Sequence, residues 1–216
     1  LDHSPEFTLS ALDLPGESYR FGNRKAAIIK AKLLDSSPVC RMEATSRGWM
    51  FLIPAGESEG YLIAVGESWE LQLAESRYLA GCLETVVELA SGVPTAPRLT
   101  WPLFKEGMLA IGSAAAAFDP ICGDGTAHAA REGILAAAAL CYGATEEALS
   151  HYASRLLAAF HKHLEVSRSY YSTGPQTEWW REQVQQLDEG LQWAQERMLE
   201  LGPPRLRLNR DRLEPL

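Results

Sequence analysis

The sequence predicts an α+β fold, an antiparallel sheet followed by helices, on three observations. Short apolar runs separated by turn residues fill Ala26–Gly66, the hydrophobic period lengthens from Glu70 onward, and the chain's last regular segment carries a heptad seam. The runs are "AAIIKAKLL" (Ala26–Leu34), "VCRMEAT" (Val39–Thr45), "GWMFLIP" (Gly48–Pro54) and "GYLIAVG" (Gly60–Gly66). Their connections are rich in Asp, Ser, Pro and Gly, which predicts a β-meander. Alternation is clearest in the second run, where Val39, Arg41 and Glu43 oppose Cys40, Met42 and Ala44.

From Glu70, the residues Leu73, Ser76, Arg77, Ala80, Leu83, Val87 and Ala90 recur near helical spacing, so a helix is expected over Glu70–Ser91, ended by Gly92 and Pro94. A short strand, "GMLAIGS" (Gly107–Ser113), precedes a helix over Asp124–Cys141. A second helix starts at Thr145 and runs to about Tyr170, with Leu149, Tyr152, Leu156, Phe160 and His163 on one face. In the last helix Trp180, Val184, Leu187, Leu191, Ala194, Met198 and Leu201 alternate in spacing of four and three. That seam fits an αα-hairpin with the preceding helix, or a homodimer contact. The tail "RLRLNRDRLEPL" is expected to be loose or docked by its leucines. The expected organisation is an irregular N-terminal segment (1–25), a sheet and helix (26–104), a strand, loop and helix (105–143) and a C-terminal helical region (144–216).

Composition narrows the function classes. The chain has 216 residues, 46% hydrophobic and 22% charged, with a formal net charge of -8. That balance argues against a protein built to hold nucleic-acid phosphates. Cys40, Cys82, Cys122 and Cys141 are scattered with neither disulfide nor metal spacing, which reads as reduced thiols of a cytoplasmic protein. No apolar run reaches the ~18–20 residues of a membrane span. The chain begins at Leu1 rather than methionine, and "SPEF" (Ser4–Phe7) has the look of a cloning scar.

One stretch breaks the pattern of a packing element: "AIGSAAAAFDPICGDGTAHAAREGILAAAAL" (Ala110–Leu140). Gly112, Pro120, Gly123 and Gly125 each weaken regular structure and restrict or bare the backbone. Free N–H groups at the start of a helix suit an anionic or electron-rich ligand edge. The plainer reading is a tight strand-to-helix turn with Asp124 as N-cap. On the residues alone both stand.

The stretch resembles the second flavin-contact motif of the FAD-dependent monooxygenase, geranylgeranyl reductase and flavin-dependent halogenase superfamily. Gly112, Ala114, Ala115, Asp119, Pro120, Gly123 and Gly125 match that motif in order and spacing, and "RGWMFLIPAGESEGYLIAVG" (Arg47–Gly66) is similar to the family's Gly-Trp-x-x-x-x-Pro strand pair. The resemblance implies a substrate-domain sheet plus the last strand and helix of an FAD-binding domain, followed by the helical hairpin. It implies that Ser113, standing where the family has aspartate, takes the ribityl position. Gly123, Asp124 and Gly125 would border the flavin ring, and Gly112, Asp119 and Pro120 would complete the cofactor-binding set. Trp49, Phe51 and Tyr61 on the sheet, and His128 on the helix, are weak substrate-pocket candidates; no catalytic residue is singled out.

The implied protein is the C-terminal part of an FAD-dependent oxidoreductase, a monooxygenase of apolar or aromatic small molecules fed by NAD(P)H or a partner reductase. Alternatives are a geranylgeranyl-reductase-like saturase and a non-catalytic α+β module that binds a ligand or partner. No Gly-x-Gly-x-x-Gly fingerprint follows a strand, so this chain alone is expected to hold FAD weakly or not at all. Tryptophan-type halogenases place a glutamate where Cys122 stands and a halide beside the position of Asp124. A carboxylate there repels a halide, which argues against halogenation. Cys122 is expected to be a small buried thiol. In "HKH", His161 and His163 point to different faces and are expected at the surface, so no metal site is expected.

Overall fold

The computed structural model describes residues 16–210 and 212–216. Most of the irregular segment expected at 1–25, including "SPEF", lies outside them. The chain divides into two compact units. One comprises Pro97–Ser167, Leu187–Leu216 and the stretch up to Phe21; the other comprises Gly22–Ala96 and Arg168–Gln186.

The second unit is built on a five-stranded antiparallel sheet of β2 (Lys25–Leu33), β3 (Arg41–Thr45), β4 (Gly48–Gly56), β5 (Glu59–Gly66) and β6 (Leu83–Pro94), in the order β3-β4-β5-β2-β6. Every second residue faces its core: Ala27, Ile29, Ala31 and Leu33, Met50 and Leu52, Leu62 and Ala64, closed by Leu79. Loop length sets the strand order. Glu57 and Ser58, both at positive φ (49° and 59°), make the tight turn joining β4 to β5. Asp35–Cys40 is too long a connection to force β2 against β3, so the expected meander gives way to a sheet in which β2 pairs with β5 and β6.

The helix expected over Glu70–Ser91 is also corrected. Only α1 (Trp69–Glu75) forms, and Leu83–Pro94 is an edge strand paired with β2. Glu43, on β3, stops the helix. Its carboxylate accepts hydrogen bonds from Ser76 Oγ at 2.6 Å and from the backbone N–H groups of Arg77 at 2.6 Å, Tyr78 at 3.3 Å and Leu79 at 3.0 Å. A continuing helix would have spent those amides on its own carbonyls. Beyond them, Thr85, Val86 and Val87 suit a strand better than a helix.

The first unit carries β1 (Glu17–Arg20), inside the segment expected to be irregular, with β7 (Arg98–Trp101) and β10 (Ala116–Ala117) in the order β1-β7-β10. Of the strand expected at Gly107–Ser113, only β9 (Met108–Leu109) is extended and paired, with β8 (Phe104–Lys105). Then come α2 (Gly125–Cys141), α3 (Glu146–Ser172) and α4 (Glu178–Leu201); the last two contribute residues to both units. Gly190, inside α4, has a packing reason: a Cβ there would stand 2.8 Å from the Phe21 ring and 3.2 Å from Leu164. Beside it, Trp193 lies 4.8 Å from Tyr19 and 5.5 Å from Phe21, ring centre to ring centre. The tail is a docked hairpin, β11 (Leu206–Asn209) and β12 (Arg212–Pro215), anchored by buried Leu206 and Leu213. Among the described residues no helix is long and apolar enough to cross a membrane.

Candidate functional site

The Gly112–Gly125 loop belongs to the first unit, and β7 holds its front half. Gly112, at φ +56°, opens a 3₁₀ turn over Gly112–Ala114. The Arg98 guanidinium donates to the Ser113 carbonyl, Thr100 Oγ1 donates to Ala114 O at 2.7 Å, and Thr100 N–H donates to Ala115 O at 2.8 Å. Ser113 is thus anchored through its backbone and its side chain is left exposed.

Asp119 and Pro120 start a second 3₁₀ turn, with the Asp119 carboxylate accepting from Ile121 N–H at 3.0 Å. Asp119 is 1% exposed, so its side chain serves the turn. Gly123, at φ +66°, ends that turn in the left-handed conformation that favours glycine. Gly125 is different: its φ is ordinary and a Cβ on it would meet nothing within 4 Å. Gly112 and Gly123 also look onto open space. Neither packing nor backbone geometry within the chain demands glycine at 125.

Asp124 sits at the N-cap position of α2 without capping it by its side chain. Its Oδ2 lies 3.0 Å from His128 Nε2, and its Oδ1 lies 3.6 Å from His163 Nδ1. The first-turn amides of α2 are left without a side-chain acceptor from Asp124. His128 stacks on Phe118, with ring centres 4.3 Å apart at 15°, and Phe118 meets the His163 ring edge-on at 4.8 Å.

His163 corrects the expectation of a surface histidine. It is 2% exposed, and its Nε2 accepts the Asp119 N–H at 2.8 Å. The "HKH" spacing does separate the two side chains, but it places His163 inward and leaves His161 half-buried. Cys122, Asp124 and His163 offer ligand atoms within 4.8 Å of one another. The Asp119 amide makes Nε2 the acceptor, which puts the ring proton of neutral His163 on Nδ1, the nitrogen facing Asp124. As built, the cluster is a histidine–carboxylate pair with a thiol beside it.

Burial pushes the Cys122 thiol up to about 11; a 3.4 Å contact with Ser167 Oγ opposes this, and the charges of Asp124 and Asp119 add to it. At pH 8 roughly one thiol in a thousand is then ionised. Iodoacetamide is expected to alkylate the exposed Cys40 and Cys141 well before Cys122, as peptide mapping by mass spectrometry would show. Equal rates would contradict this burial.

The weak pocket candidates belong to different units: Trp49, Phe51 and Tyr61 to the second, His128 to the first. Trp49 is 2% exposed and donates its indole N–H to Tyr171 Oη at 3.0 Å, Phe51 is half-buried, and Tyr61 is 42% exposed. Sequence reasoning missed Arg98, Thr100, Phe118 and Ser167. Arg98, Thr100 and Ser167 support the loop from segments that carry no motif, and Phe118, inside the motif stretch, matches none of its defining residues.

No family model matches the sequence, and no curated protein sequence matches it either. Solved structures do match its fold. BrvH, a flavin-dependent halogenase from Brevundimonas sp. BAL3, superposes with a TM-score of 0.61 at 19% identity, covering 85% of this chain and 39% of that one. The myxobacterial chondrochloren halogenase CndH, a variant of FAD-dependent halogenases, gives 0.59 at 17% identity over 86% of this chain and 50% of that one. The peptidyl tryptophan dihydroxylase QhpG gives 0.59 at 15% identity over 76% and 44%. The chain therefore spans half or less of the length of these proteins, and what it shares with that part of them is the α+β fold.

Proposed function

We propose that this chain is the flavin-edge and substrate-sheet portion of an FAD-dependent oxidoreductase, a monooxygenase acting on an apolar or aromatic small molecule. The observation that carries the reading is Gly125, a glycine facing open space at a helix start, in a loop matching a flavin-contact motif. The residues present fit one end of the cofactor. The bare backbone at Gly112, Gly123 and Gly125 admits a flat ring, and the first-turn amides of α2 suit its electron-rich edge. The pyrophosphate end has no counterpart, since no Gly-x-Gly-x-x-Gly segment occurs in the chain. Bound FAD would supply two-electron redox chemistry, with electrons from NAD(P)H or a partner reductase. The chain's own part is to orient the ring through the loop and to hold Asp124 between His128 and His163.

The halogenases among the solved structures favour halide oxidation as a second reading. Cys122 and Asp124 oppose it, the first because it is no carboxylic acid and the second because its carboxylate repels a halide.

The reading is tested by adding FAD to the ¹⁵N-labelled chain and following amide resonances. Shifts are expected in Gly112–His128, without visible flavin absorbance surviving desalting. Gly125→Ala is expected to abolish those shifts while keeping or raising thermal stability by up to about 1 kcal/mol, because alanine is the better helix former and its methyl meets no protein atom. Absence of loop shifts in the unmodified chain would sink the flavin reading.

A further inference from the structure

Bordering the glycine loop at His128, the first unit holds a cavity of about 550 Å³ lined by residues of α2, α3 and the C-terminal hairpin. That is within the range of small-molecule sites, roughly 300–1,000 Å³. Glu132 and Leu135 reach it from α2, and His151 and Arg155, one turn apart, from α3. Two buried polar groups here stand without partners. His151 is 4% exposed and neither ring nitrogen makes a hydrogen bond. Glu132 is 5% exposed, and the Gly112 N–H acts on its carboxylate without reaching hydrogen-bond geometry. Leaving such groups unpaired costs about 1–3 kcal/mol each, and structures that do so commonly keep them for a ligand or an ordered water.

The charges around them point to the ligand. Arg131 and Arg155 are exposed on the cavity lining, and among the described residues neither has an ion-pair partner, although the chain as a whole carries a net charge of -8. The deeper groups offset them only in part. Burial raises the Glu132 carboxyl to about 7, so at neutral pH it carries at most about half a charge against two guanidinium groups, and burial together with the Arg155 charge lowers His151 and favours its neutral ring, one nitrogen a donor and the other an acceptor. Leu135, Leu156 and Leu206 supply apolar wall.

We propose that this cavity is a second ligand site, taking a small amphipathic organic anion. Its carboxylate or sulfonate pairs with the Arg131 and Arg155 guanidinium groups, its body lies on the three leucines, and a neutral polar group meets His151 and Glu132. The assignment is independent of the flavin reading of the glycine loop.

The probe is 8-anilinonaphthalene-1-sulfonate, an aromatic anion with one N–H, followed by fluorescence with the 216-residue chain. Saturable single-site enhancement is expected, displaced by octanoate but not by octanol at equal concentration, and unaffected by FAD. The double variant Arg131→Ala/Arg155→Ala is expected to weaken binding at least about tenfold with an unchanged melting temperature, since both side chains are exposed. His151→Leu is expected to weaken binding and to raise the melting temperature, by removing the unpaired imidazole. Equal displacement by octanol, or unchanged binding in the double variant, overturns the anion assignment. Displacement by FAD would reassign the cavity to the flavin and overturn the second site.

Discussion

Glu43→Ala is expected to destabilise the second unit by about 3 kcal/mol, a drop on the order of 10 °C in melting temperature. The carboxylate is 8% exposed and is the common acceptor for Ser76, Arg77, Tyr78 and Leu79, so its removal strands three backbone donors at once. Glu43→Gln keeps the shape and loses the charge, and about half that cost is expected. The same network makes stability depend on pH. Burial alone would raise the Glu43 carboxyl; the hydrogen bonds from Ser76 and the three amides outweigh it and hold it below its ordinary value of 4.5. A carboxyl depressed in the folded state contributes fully above the unfolded value and loses that contribution as pH falls through the folded one. Melting temperatures measured from pH 6 to pH 3 should therefore converge for the unmodified chain and Glu43→Gln at the acid end. Parallel curves would mean that the carboxylate is not ionised in the fold.

His163→Ala is expected to cost a similar amount, about 3 kcal/mol, in the first unit. It removes the acceptor of the buried Asp119 N–H, opens a cavity next to Phe118 and takes away the ring nitrogen that faces Asp124. His163→Gln places an amide oxygen within reach of the same N–H and should recover part of the stability without restoring the edge-on ring. Amide hydrogen exchange separates the two effects. Protection at Asp119 should collapse in the alanine variant and return in the glutamine one, while a surface histidine would leave it untouched in both.

The glycine loop was legible in the sequence because its signals are local. Asp-Pro, the glycines at 112 and 123 and the Ala-rich start of α2 all state backbone requirements that neighbours in sequence must meet, and the structure places turns at both glycines. The tight Glu57-Ser58 turn and the C-terminal helices were legible for the same reason. β6 was not, although its residues fall at helical spacing, because Glu43 decides its state from forty residues away. His163 was misread in the same way. Its spacing from His161 correctly separates two faces, but nothing in "HKH" says which face a backbone amide of the loop will approach.

The sequence by itself thus determined the element types wherever turn chemistry and period agreed, the α+β class, and the loop whose glycines leave the backbone bare. Only the tertiary structure decided the strand order, the end of α1, the Asp124–His163 pairing and the cavity that gathers His151 and Glu132. The physical reason is that a buried carboxylate, an imidazole or an open strand edge acts on whatever the fold brings within hydrogen-bond reach, and that reach does not follow the order of the chain.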